Sequence, residues 1–165
     1  MANLHTDRPA PDFRLPASAG HVIHLADYRQ YRPVVLLFLP DLASAPARAL
    51  LSDYAAHYDA FREEGAEVLA ITPQPDGASG LPFPALTDAD GAVRARYLDD
   101  PAQSAVFILD RYTAPYRWEA SDWVEGLMSA SDALEWVRLS EYRCTMCDDA
   151  SIEWDLASKL TEIDR

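Results

Sequence analysis

Two apolar segments fix what this chain can fold into. Residues 34–39 read VVLLFL and residues 66–72 read AEVLAIT. Each is of strand length and is apolar on both alternating faces, the signature of a strand covered on both sides. Between them lies SAPARALLSDYAAHYDAFREEG, in which Leu50, Leu51, Tyr54, Tyr58 and Phe61 recur at helical spacing. That spacing predicts one amphipathic helix starting at Ser44 or Ala45, with Pro46 in its first turn and Gly65 at its end. Strand, helix, strand in this order demands a parallel pair joined by a right-handed crossover.

The flanking segments complete an α/β layer structure. Phe13, Leu15, Val22, Ile23 and Leu25 alternate with polar residues around an Ala19-Gly20 turn, which predicts an N-terminal β-hairpin. Residues 73–84 are rich in proline and glycine and read as a loop. A turn at Asp88–Gly91 leads to a short helix carrying Val93 and Tyr97. SAVFILD at 104–110 is a third strand, and APYRWEA at 114–120 pairs with it across RYT. Ser131 is the expected cap of a helix bearing Ala133, Trp136 and Val137 on one face, with Leu134 at its margin. Ile152, Leu156, Leu160 and Ile163 form a last amphipathic stripe, capped by Asp148 or Asp149. The expected architecture is a three-layer sandwich on a small mixed sheet. The division is a domain over 1–130 and a helical extension over 131–165 packed on the same domain.

Charge narrows the partners. The chain of 165 residues carries a net charge of −13 and a sequence pI of about 4.5. Such a surface repels nucleic acid and anionic membranes, both of which need lysine and arginine against their phosphates. The run at 34–39 is the longest unbroken apolar stretch, far too short to span a bilayer. The opening residues MANLHTDRPAPDF lack the apolar segment of an export signal. A soluble, cytoplasmic protein is expected.

The segments APDFRLP, VIHLADYR, VVLLFLP, FREEGAEVLAIT, FPALTDADGAVRARY and AVFILDR, in this order over about residues 9–118, resemble the peroxiredoxin family. This is the alkyl hydroperoxide reductase and thiol-specific antioxidant group, of thioredoxin-like fold. The resemblance implies a P-x-x-x-T/S-x-x-C motif at the start of the first long helix, where the helix end and an arginine lower the thiol pKa and the thiolate attacks peroxide. Here the motif positions hold Pro40, Ser44 and Ala47, and the arginine position before the third strand holds Ser104. No cysteine precedes residue 144, so the resemblance implies a degenerate peroxidatic site. A subset of peroxiredoxin-like proteins ends in a helix, a CxxC and a nearby tryptophan, which EYRCTMCDDASIEW resembles.

For Cys144 and Cys147 three readings stand open. They are a dithiol that cycles with a disulfide, half of a tetrahedral zinc site, or two reduced thiols without a chemical role. For the dithiol, Arg143 favours thiolate while Asp148 and Asp149 oppose it, and the pair follows a helix instead of opening one. For zinc, the other ligands would come from histidines or from a second copy of the chain. His21 and His24 lie three apart on an expected strand and so face opposite ways; packing or surface roles suit His5, His21, His24 and His57. Asp88 and Asp90 in DADG lack the remaining ligands of a calcium loop and read as turn residues. Trp118, Trp123, Trp136 and Trp154 read mostly as core, with some available to cover a dimer face. The expected function is a peroxiredoxin-like redox protein that exchanges thiol and disulfide with a protein partner through Cys144 and Cys147. The alternative is a non-enzymatic scaffold whose CxxC is structural or holds zinc. No organic cofactor is implied, and a homodimer is expected.

Overall fold

A computed structural model describes residues 4–74 and 76–142. Five strands form one mixed sheet: β3 (Val34–Phe38), β4 (Glu67–Thr72), β5 (Ala85–Thr87), β6 (Ser104–Leu109) and β7 (Pro115–Ser121), in the order β5-β4-β3-β6-β7. Strands β3, β4 and β5 run parallel; β6 and β7 are antiparallel to their neighbours. The two apolar segments are therefore the centre of the sheet, and every residue of β3, β4 and β6 is buried. A separate hairpin of β1 (Arg14–Pro16) and β2 (Val22–His24) precedes them. This is the mixed α/β architecture the sequence calls for.

Alternation along the strands splits the core in two. Val35, Leu37, Leu39, Val68, Ala70, Val106 and Ile108 face one way, where they pack against α1 (Ala45–Ala56), α2 (Tyr58–Glu63) and α4 (Ala130–Glu141). Val34, Leu36, Phe38, Leu69, Ile71, Ala105 and Phe107 face the other way. They meet the N-terminal hairpin and Tyr97 of α3 (Arg94–Tyr97).

Four local expectations are corrected. The helix expected to run unbroken to Gly65 is two helices, interrupted at His57, whose ψ of 2° leaves the helical range. His57 N and Nδ1 both meet the carbonyl of Asp53, at 3.2 and 2.8 Å. Gly65 does terminate the second, at φ 72°. The cap of α4 is Ser129, whose Oγ accepts from Asp132 N at 3.2 Å; Ser131 lies inside the first turn. Strand β5 lies between the loop at 73–84 and the turn at Asp88–Gly91, where no strand is expected from sequence. Of the tryptophans, Trp118 and Trp123 are exposed, the latter 74% so, and only Trp136 is half-buried, edge-on to Tyr116. Trp154 and the last amphipathic stripe lie outside the described residues.

Candidate functional site

At its C-terminal end β3 passes through Leu39 and Pro40 into a short loop and then α1. Three of the motif positions come together here. Pro40 is exposed in the loop, Ser44 caps α1, and Ala47 sits in the first turn. Ser44 has an extended backbone (φ −62°, ψ 148°), and its Oγ accepts from Ala47 N at 3.4 Å. This satisfies one of the donors a helix start leaves free. Asp41 Oδ1 accepts from Ala43 N at 2.8 Å and tightens the loop. Gly77 crosses close above: a Cβ there would lie 3.2 Å from the Leu42 carbonyl group. With φ at 90°, glycine is needed twice over at that crossing.

The methyl of Ala47 is fully buried among the apolar residues of the α1 face, Leu39 and Val106 among them. Ser104 opens β6, buried, one step past the Ala105–Phe38 pair. By strand alternation with Val106 and Ile108 it belongs to the α1 face, at the sheet end nearest the α1 N-terminus. The same alternation places Thr72, the last residue of β4, on this face. Thr72 is 1% exposed, and among the described residues its Oγ1 has no hydrogen-bond partner. Sequence reasoning missed Thr72, since a single hydroxyl ending an apolar strand carries no pattern.

Arg94 is the nearest thing to a buried cation in this half of the molecule. It does not face α1. Its guanidinium lies 5.8 Å from the ring of Phe38, on the α3 face. Nε donates to Pro101 O at 2.8 Å and Nη2 to Gln103 O at 3.2 Å. Burial lowers its pKa, with Asp88 opposing. Asp88 itself accepts from Val93 N and Arg94 N at 3.2 and 2.8 Å, and Asp90 from Ala92 N at 3.0 Å, so DADG closes a turn. A cavity of about 210 Å³ lined by Tyr97, Leu98, Gln103, Phe107, Trp118 and Ala120 also lies on the α3 face. The α1 N-terminus therefore offers a capped helix start and small hydroxyls, with the buried Arg94 guanidinium on the other face of the sheet and no cysteine among the described residues.

The far end of the α1 face is held by a polar clasp. Tyr54 Oη donates to Met128 O at 3.0 Å, and Asp53 Oδ2 accepts from Ala130 N at 2.7 Å, fixing the start of α4 against α1. Burial pushes the Tyr54 phenol well above its ordinary range. Cys144 and Cys147 lie outside the described residues. Among those described, no three His, Cys, Asp or Glu side chains gather closely enough to hold a metal ion. His24 instead pairs with Asp12, and His57 with Asp53.

Residues 6–112, well over half of the chain, match the family model described as AhpC/TSA family. The chain belongs to the AhpC/TSA family. Its relatives include two proteins of Mycobacterium tuberculosis, from strains CDC 1551 / Oshkosh and ATCC 25618 / H37Rv, each carrying the name "Putative peroxiredoxin". Each is 34% identical over 91 residues, which cover 51% of this chain and 57% of the relative. The matched region thus spans little more than half the length of those curated relatives. The crystal structure of peroxidoxin BcpB from the same species is a structural neighbour. Its TM-score is 0.72 at 23% identity, over 86% of this chain and all of that one. At that identity the likeness speaks for the fold, which is thioredoxin-like as expected. The AhpC/TSA assignment makes the chain a peroxiredoxin-like protein. No helix among its described residues is long and apolar enough to cross a membrane.

Proposed function

We propose that this AhpC/TSA protein is a redox protein whose peroxidatic position is chemically silent and whose thiol chemistry belongs to Cys144 and Cys147. The observation that carries the first half is Ala47. It occupies the nucleophile's place in the motif, its N–H is spent on Ser44 Oγ, and its side chain is sealed in the apolar core. A methyl group has no lone pair to attack a peroxide O–O bond, and Ser104 supplies no charge to activate one. The second half rests on the sequence, where these are the two cysteines.

The step is thiol–disulfide exchange with a protein partner. The Cys144 thiolate attacks one sulfur of the partner's disulfide and displaces the other as thiolate. The Cys147 thiolate then attacks the mixed disulfide. The chain ends with a Cys144–Cys147 disulfide and the partner with two thiols, two electrons and two protons having passed between them. The test is reduction of insulin disulfides by the prereduced protein. Activity present in the natural chain, absent in Cys144→Ser/Cys147→Ser and unchanged in Ala47→Ser is the expected result. Peroxide reduction that survives loss of both cysteines would overturn the reading. Near-stoichiometric zinc in the purified protein, lost in Cys147→Ser, would replace it with a scaffold whose CxxC is a metal site.

A further inference from the structure

The cavity of about 210 Å³ on the α3 face has no part in the site at the α1 N-terminus. We infer that it binds a small free aromatic molecule that bears a hydrogen-bond donor on its ring, of the phenol or indole class. The inference owes nothing to the proposed thiol chemistry, which uses none of the residues that line this cavity.

Strand pairing builds the floor. Phe107 of β6 and Trp118 of β7 are register partners, and their rings stack with centroids 6.4 Å apart and planes 14° apart. Tyr97, at the end of α3, stands edge-on to Phe107 at 5.4 Å and 81°. The lining thus presents rings in two orientations near a right angle, matching the offset-stacked and edge-to-face contacts that aromatic pairs prefer. Ala120, two residues beyond Trp118 on the same side of β7, keeps the floor low where a larger side chain would fill it. Leu4 and Leu98 add apolar side walls. A benzene ring needs a cavity of about 150 Å³. The volume here therefore suits one ring or a small bicycle, short of the roughly 300–1,000 Å³ of drug-sized sites.

The cavity is held open from behind. Arg94 donates from Nε to Pro101 O and from Nη2 to Gln103 O, and Gln103 N donates to Asp100 O at 3.1 Å. These bonds fix the backbone of the wall that follows α3. Trp118 is 39% exposed whereas Phe107 is 1% exposed. The indole is therefore the wall that a ligand in solution reaches first, over a floor that cannot move without disturbing the sheet.

The polar groups select the guest. Tyr97 Oη spends its proton on Pro11 O at 2.6 Å, so Tyr97 serves the cavity with its ring. The other two lining residues with polar side chains are Asp99 and Gln103. A carboxylate only accepts hydrogen bonds, and its two oxygens have room for several. Gln103 gives an Nε2 proton to Asp122 Oδ1 at 3.0 Å and keeps Oε1 as an acceptor. Both residues offer acceptors, so the guest must bring the donor. The Arg94 guanidinium rests on backbone carbonyls and does not line the cavity, so it offers an anionic ring nothing, while Asp99 would oppose one with like charge.

The probe is p-cresol, titrated into the full chain and followed by two-dimensional proton–nitrogen NMR, with the Trp118 indole N–H assigned by its loss in Trp118→Phe. A saturable shift of that signal is expected, with a Kd of roughly 0.1–1 mM for a ligand of about eight non-hydrogen atoms. Toluene, the same ring without the donor, and p-toluate, with a carboxylate in its place, should each bind at least about fivefold more weakly. Ala120→Leu, at an exposed position of β7, should weaken p-cresol at least about tenfold while amide signals away from the cavity stay in place. Gln103→Leu and Asp99→Ala should each narrow the gap between p-cresol and toluene. No saturable shift up to about 10 mM p-cresol overturns the site. Binding undiminished in a folded Ala120→Leu overturns its location. Toluene or p-toluate bound as tightly as p-cresol, or a gap that neither polar variant changes, overturns the ligand class. N-acetyltyrosinamide bound more tightly than p-cresol would assign the cavity to a partner's side chain and overturn the free ligand.

Discussion

Returning a thiol to position 47 should not return a peroxidase. In a Cys144→Ser/Cys147→Ser background, Ala47→Cys puts sulfur in the first turn of α1, where the helix end favours thiolate by about 0.3–1 kcal/mol. At about 1.36 kcal/mol per pKa unit, that lowers the thiol from its ordinary value of about 8.5 by roughly 0.2–0.7. Burial works against it: Ala47 is fully enclosed by apolar side chains, and desolvation disfavours the charged form. Arg94 gives no help, since its guanidinium lies over Phe38 on the other face of the sheet. The restored thiol should titrate at about 8 or higher, with no more than about a tenth as thiolate at pH 7. Alkylation by iodoacetamide followed against pH gives that midpoint directly, and stopped-flow mixing with hydrogen peroxide gives the reactivity. Peroxide consumption no faster than that of a free thiol is expected. Adding Ser104→Arg should lower the midpoint by about one to three units, the effect of a cation within about 4–6 Å. A midpoint below about 7 in the single variant, or fast peroxide turnover, would show that groups other than position 104 activate this site.

Tyr54→Phe removes the hydroxyl that meets Met128 O and leaves that carbonyl buried. A loss of about 1–3 kcal/mol in urea unfolding is expected, whereas an unchanged midpoint would mean the clasp is immaterial. The phenols of Tyr28, Tyr54, Tyr58 and Tyr97 are raised mainly by burial, Tyr28 to about 12, with Glu67 adding to the shift at Tyr28 and Tyr58. A group whose folded pKa is raised stabilises fully below its unfolded value. Stability should therefore fall as pH climbs above about 10, and phenolate absorbance of these four should appear together with unfolding. Phenolate from all eight tyrosines with the fold intact would contradict this. Among the described residues strand β7 is an edge of the sheet that carries exposed Trp118, with exposed Trp123 nearby, and light scattering should find a homodimer. A monomer at tens of micromolar would refute it.

The elements that could be read from sequence are those whose burial is two-sided or periodic. VVLLFL and EVLAIT announce central strands because they are apolar on both faces, of strand length, and bounded by proline or glycine. Strand β5 has only Ala85, Leu86 and Thr87, too short for any period, and exists because β4 offers an open edge. The break at His57 is a change of backbone angle at a single residue, which helical periodicity cannot register. Ser129 and Ser131 are equally good caps on paper. Ser129 is selected by Asp53, which pins Ala130 and so decides where α4 begins. At the candidate site Pro40, Ser44 and Ala47 are close in sequence, so their meeting was legible. Thr72 and Ser104 join them only through the order of strands, which no local pattern encodes.

That strand order also sets how the molecule must be born. The central strand β3 is bonded on one side to β4, 33 residues on at Val34–Glu67, and on the other to β6, 75 residues on at Val34–Leu109. The β3–α1–α2–β4 half can condense from neighbours in the chain. The β6–β7 half is itself a tight hairpin, Phe107 stacked on Trp118 across it. Joining the two means closing a long loop before the α4 face can be sealed, an entropic toll that slows folding into the range of mixed and sheet-rich domains. Until that docking occurs, β3 is an apolar ribbon with one free edge. The chain is most prone to aggregate in that interval, before the second edge of β3 is covered.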